Sequence, residues 1–122
     1  MPTIPAIDQE KEKQLILKEY RNLLRSLKET ITTSERKQLR LAFEMALEAH
    51  KDMRRKSGEP YIIHPLQVAQ IVVKEMGLNA TAAICAILHD VVEDTDITLD
   101  DIKREFGGKV AKIIDGLTKV SG

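Results

Sequence analysis

Tryptophan is absent, cysteine occurs once, and aromatic residues make up only 3% of the chain. The lone Cys85 excludes an internal disulfide, and the shortage of rings leaves Leu, Ile, Val, Ala and Met to build any core. No apolar run approaches the roughly 18 residues of a membrane span. The opening "MPTIPAIDQEKEK" lacks the basic-then-apolar order of a secretory signal. These absences set the expectation of a cytoplasmic protein. Net charge is also missing, with 19 Lys+Arg against 19 Asp+Glu, but its distribution is uneven. Cations outnumber acids 13 to 9 over residues 1–56 and fall behind 6 to 10 over residues 57–122. An acidic half for a metal facing a basic half for an anion is one reading; an ordinary mixed surface is the simpler one.

What is present suits one soluble globular domain: 122 residues, 43% hydrophobic and 31% charged. Residues 1–7, with two prolines, read as a flexible N-terminal arm. Thereafter the spacing predicts about six helices and no strand. Asp8 caps a first helix over about residues 8–30, with Leu17, Tyr20, Leu24, Leu27 and Ile31 at three- and four-residue intervals. Thr32 and Glu35 have capping-box spacing ahead of a second helix reaching about Met53. "RRKSGEPYIIHP" breaks the pattern through Gly58 and Pro60. Pro65 then suits the first position of a third helix, reaching about Met76. Asn79 caps a fourth over about residues 80–94, and Thr98 a fifth, "LDDIKREF". The sixth, "KVAKIIDGLTKV", has an apolar face of Val110, Ile113, Ile114 and Leu117. The chain stops just after it, so the expectation is a C-terminally truncated all-α bundle whose last face invites self-association.

"LHDVVEDT", at the end of the fourth helix, carries the chemistry. At about 100° per residue, Ile84, Ile87, Leu88 and Val91 cluster on one side, and His89, Asp90, Glu93 and Asp94 on the other. Glu93 and Asp94 sit where the helix end is already partly negative, a cost of about 0.3–1 kcal/mol each if exposed. A cation would reverse that sign. His89 and Asp90 offer nitrogen and oxygen donors to a dication such as Mn, Fe or Zn. His64 is the natural third ligand, because it stands at the cap position of the third helix, where histidine is a weak choice. A hydrogen-bonded loop histidine beside a solvated helix end is the competing structural reading. His50 reads as packing or as support for the site, and Cys85 as core filler with no base to activate it.

Three segments, "RKSGEPYIIHP", "AAICAILHDVVEDT" and "FGGKVAKIIDGLTKV", resemble the N-terminal hydrolase domain of the RelA/SpoT family, the bifunctional enzymes that make and degrade (p)ppGpp. The resemblance covers about residues 39–122. It implies an HD-domain-like helical bundle in which residues 8–122 form a partial HD hydrolase domain. It also implies a Mn2+ ion and removal of the 3′-pyrophosphate of (p)ppGpp in the stringent response. Carried over position by position, His64, His89 and Asp90 match metal ligands. Glu93 and Asp94 match the acidic pair that acts on the attacking water, and Arg55, Lys56 and Ser57 the loop that meets the guanine nucleotide. A nucleotide is the implied partner; membrane and nucleic acid are not expected. The family uses a further Asp ligand beyond the last residue here, and Asp115 does not match it. Weak metal binding and little hydrolysis by this chain alone are therefore expected. Two alternatives stay open: an HD phosphohydrolase acting on another nucleotide, and a helical interaction module without catalysis.

Overall fold

The computed structural model describes residues 6–27 and 29–121. Six helices follow one another: α1 (Ala6–Leu27), α2 (Thr33–Ala49), α3 (Ile63–Lys74), α4 (Ala80–Asp94), α5 (Leu99–Phe106) and α6 (Gly108–Ser121). No strand occurs among the described residues; one isolated bridge joins Arg54 and Pro60. The expected all-α bundle is what the chain forms. Apart from Ala6 and Ile7, the first residues of α1, the arm expected at residues 1–7 lies outside the described residues.

α4 is the hub, packing against α2, α3 and α6, while α1 leans on α3 and α5 on α6. Its apolar face is the one the periodicity marked: Ile84, Ile87, Leu88 and Val91 are all buried. Leu39 and Phe43 of α2, Leu66 of α3, Ile102 of α5 and Ile114 of α6 complete the same cluster. Tyr20 stacks on Phe43 with ring centroids 4.2 Å apart, so half of the chain's four aromatics serve one contact. On α6 only part of the expected apolar face is covered. Val110 and Ile114 are buried, whereas Ile113 and Leu117 stay exposed.

Side-chain caps fix three of the helix starts. Thr32 and Thr98 form reciprocal capping boxes with Glu35 and Asp101, and Asn79 accepts from the Ala82 N–H. Around the polar segment the expected ends need correction. α1 stops at Leu27, whose carbonyl accepts from both the backbone and the hydroxyl of Thr30. α2 ends at Ala49, four residues before Met53, because the chain turns into a hairpin there. The Arg55 N–H bonds Glu59 O at 3.0 Å and the Tyr61 N–H bonds Met53 O at 3.0 Å, with Gly58 at φ 102° in the turn. α3 begins at Ile63 rather than Pro65, and its end is Lys74 rather than Met76. The hairpin supplies the reason for the earlier start. Carbonyls of Pro60 and Tyr61 accept from the Ile63 and His64 N–H groups, so the first-turn donors are met by backbone and no side-chain cap is needed. Pro65 still falls within that first turn, where a missing N–H costs nothing.

Candidate metal centre

The buried face of α4 fixes what its opposite face can do. With Leu88 and Val91 locked in the core, His89, Asp90, Glu93 and Asp94 must emerge together at the C-terminal end, and each keeps between a fifth and a third of its side chain exposed. Glu93 and Asp94 close this last turn, and no basic residue lies in it. The helix closes on Thr95, whose hydroxyl donates to Val91 O at 2.6 Å.

His89 lies between two carboxylates: Nδ1 is 3.5 Å from Asp90 Oδ1, and Nε2 is 3.7 Å from Glu93 Oε1. One donor atom from each of His89, Asp90 and Glu93 falls within 4.8 Å of the others. This is the grouping suited to a cation among the described residues, and Glu93 belongs to it by position as well as by its expected role on water. His64 does not join the group within that distance. It is linked to it through Tyr61, whose ring meets the His64 ring edge-on at 6.0 Å and whose hydroxyl donates to Asp90 Oδ2 at 2.9 Å.

Tyr61 is the residue that sequence reasoning left without a role. Burial first, then its bond to Asp90 and the charges of Asp90 and Asp94, push its pKa up to about 12. It therefore remains a donor and holds one Asp90 oxygen in place. The available signal was a tyrosine three residues before His64, because a half-buried phenol has to find a partner.

His50 is the second supporting residue. It caps the end of α2 and is 1% exposed. Nδ1 lies 3.0 Å from the Ala46 carbonyl, which can only accept, so that nitrogen carries a hydrogen. Nε2 approaches Asp94 Oδ2 at 3.4 Å, within ion-pair reach but without the alignment of a hydrogen bond. We regard the contact as a packing constraint on Asp94. The His50 ring also lies 4.8 Å from the Tyr61 ring.

The three cations of the hairpin part company. Arg54 binds both Glu12 oxygens, at 2.8 and 2.7 Å, and the Gly58 carbonyl, tying the hairpin to α1. That bond holds the Glu12 carboxyl below its usual range. Arg55 turns towards the site, with Nη1 3.1 Å from His64 Nδ1. Lys56 and Ser57 occupy the exposed tip, where the Ser57 hydroxyl donates to Glu59. Cys85 is core filler, as expected: burial raises its thiol to about 11. A cavity of about 750 Å3 between α1 and the end of α2 includes His50 in its wall but none of the α4 carboxylates.

Residues 42–122 match the HD domain. The chain belongs to the HD-domain family. Its HD domain is of the RelA/SpoT kind. It is 48% identical over 83 residues to guanosine-3′,5′-bis(diphosphate) 3′-pyrophosphohydrolase of Aquifex aeolicus, covering 68% of this chain and 12% of that protein. The bifunctional (p)ppGpp synthase/hydrolase SpoT of Escherichia coli is 42% identical over 102 residues, 80% of this chain and 14% of that one. GTP pyrophosphokinase of Streptomyces coelicolor is 38% identical over 105 residues, 86% of this chain and 12% of its own length. The chain thus spans 12 to 14% of the length of these relatives. Its donor set, one imidazole and two carboxylates in mutual reach, fits a divalent ion. No helix of this HD domain is long and apolar enough to cross a membrane, among the described residues.

Proposed function

We propose that this HD domain removes the 3′-pyrophosphate of (p)ppGpp, giving GDP or GTP and pyrophosphate, with Mn2+ as its metal. The observation that carries the reading is the His89–Asp90–Glu93 group at the wrongly signed end of a buried helix. Such a group is unfavourable without a cation and useful with one. His64, His89 and Asp90 are the proposed ligands, with Glu93 in reach of the same centre. When bound, the ion lowers the pKa of a water and offsets charge building on phosphorus.

The chain's own side chains do the rest. Tyr61 fixes the Asp90 carboxylate, so that its second oxygen points in one direction. Glu93 and Asp94 orient the attacking water and take its proton. His50 limits where Asp94 can turn. Arg55 stacks on the purine through its planar guanidinium, while Lys56 meets phosphate as a compact charge and Ser57 completes that loop. The names of the hydrolase relatives support (p)ppGpp as the substrate class.

The test is binding and turnover of ppGpp, dGTP and a cyclic dinucleotide, side by side, with Mn2+. The expected result is Mn2+-dependent binding of ppGpp in preference to the other two, with slow release of pyrophosphate, both lost in His89→Ala and Asp90→Ala. Preference for dGTP or the cyclic dinucleotide would move the domain to another substrate. Indifference to both substitutions would make it a non-catalytic module.

A further inference from the structure

The contact between Arg55 and His64 has a consequence for the order in which the centre fills. A guanidinium carries donors only. With Arg55 Nη1 3.1 Å from His64 Nδ1, that nitrogen must be the acceptor, and the ring hydrogen sits on Nε2. A metal can take His64 in two ways. Ligation through Nδ1 needs the lone pair that Arg55 holds. Ligation through Nε2 needs that nitrogen bare, which moves the hydrogen to Nδ1 and turns an N–H towards the guanidinium. Neither mode tolerates the bond seen here.

We propose that Arg55 and the divalent ion compete for His64, so that an ion entering the centre releases the Arg55 guanidinium for an anionic nucleotide. The proposal rests on His64 being a ligand, as read above. The hairpin is built for such an exchange. Arg54 anchors it to Glu12 and to the Gly58 carbonyl, and the Arg55 N–H is bonded to Glu59 O. Only the exposed Arg55 side chain has to move. Because coupling between two binding events is reciprocal, nucleotide that draws Arg55 away also tightens the metal. The metal-free chain keeps the pocket's cation folded against its own histidine, and the loaded chain presents it.

The experiment titrates Mn2+ alone, followed by electron paramagnetic resonance, into four forms: wild type, Arg55→Ala, His64→Ala and the double variant. Arg55→Ala is expected to bind Mn2+ about two- to tenfold more tightly, the range of one lost hydrogen bond. In the His64→Ala background the same change should have no effect. Tightening in both backgrounds would mean simple repulsion between Arg55 and the ion, and would overturn the competition while leaving the centre intact. A wild-type chain that binds no Mn2+ would overturn the reading of the centre and the competition with it. Ring 15N correlations of His64 in metal-free protein give a second check that does not depend on Mn2+ binding. They should show the hydrogen on Nε2 in wild type, and a hydrogen on Nδ1 overturns the proposal.

Discussion

Helices α4 and α5 stand three loop residues past Thr95 from one another and treat charge in opposite ways. α5 is short and mostly polar, and its charges are correctly placed. Asp100 and Asp101 lie in its first turn and Lys103 and Arg104 in its last, and Asp101 answers both Thr98 and Arg104, the latter at 2.7 Å. α4 is held by its buried face and ends in Glu93 and Asp94, with no basic residue in the last turn. α5 spends its polar residues on its own stability. The end of α4 gathers them into a cluster that is unfavourable without a cation. Under the proposed function, the difference separates a structural helix from a functional one more clearly than burial does.

The strongest way to break this comparison is to exchange neighbours on α4. Leu88 is fully buried and should lose about 2–5 kcal/mol on Leu88→Ala. His89→Ala, one residue on, is expected to leave urea stability nearly unchanged and to abolish Mn2+ binding. Similar destabilisation by both would make the α4 end structural. Next in size is Thr98→Ala, which removes the α5 cap and should cost about 1 kcal/mol in a urea melt. Smaller, and opposite in sign, is Glu93→Gln. Removing an acid from a helix C-terminus should stabilise the metal-free protein by about 0.3–1 kcal/mol, and should lower the gain in melting temperature that Mn2+ gives the wild type.

The smallest effect is on pH dependence. The Asp101 carboxyl is held below its ordinary value by the Thr98 backbone N–H, then by Arg104 and the Thr98 hydroxyl. A depressed carboxylate favours the fold above its unfolded pKa of about 3.9, and that contribution disappears as pH falls through the lower folded value. The stability gap between wild type and Asp101→Asn, followed by circular dichroism, should therefore be open at neutral pH and close in acid.

How much of this could be read beforehand depended on distance along the chain. α4 was legible from end to end, since Asn79 caps it and its apolar residues repeat at helical intervals. So was the grouping of His89 with Asp90, Glu93 and Asp94, because they share the sector of the helix opposite its apolar face. The ends of α2 and α3 were not. They are set by the hairpin bonds between Arg55 and Glu59 and between Tyr61 and Met53, and these leave no periodic trace. The supporting shell was hidden for the same reason. Tyr61 meets Asp90 across 29 residues and Arg54 meets Glu12 across 42, contacts that only the packed helices create. Glu93 was assigned to the water; its place one helical turn from His89 was legible in the spacing, and the structure adds that the two side chains come within 3.7 Å.

A crystal grown with Mn2+ and measured at the manganese absorption edge offers the decisive observation. One anomalous peak is expected against His89 and Asp90, with the His64 ring turned to the same ion and Arg55 withdrawn from it. A peak elsewhere on the surface, or none beside that helix end, would contradict the assignment of the centre.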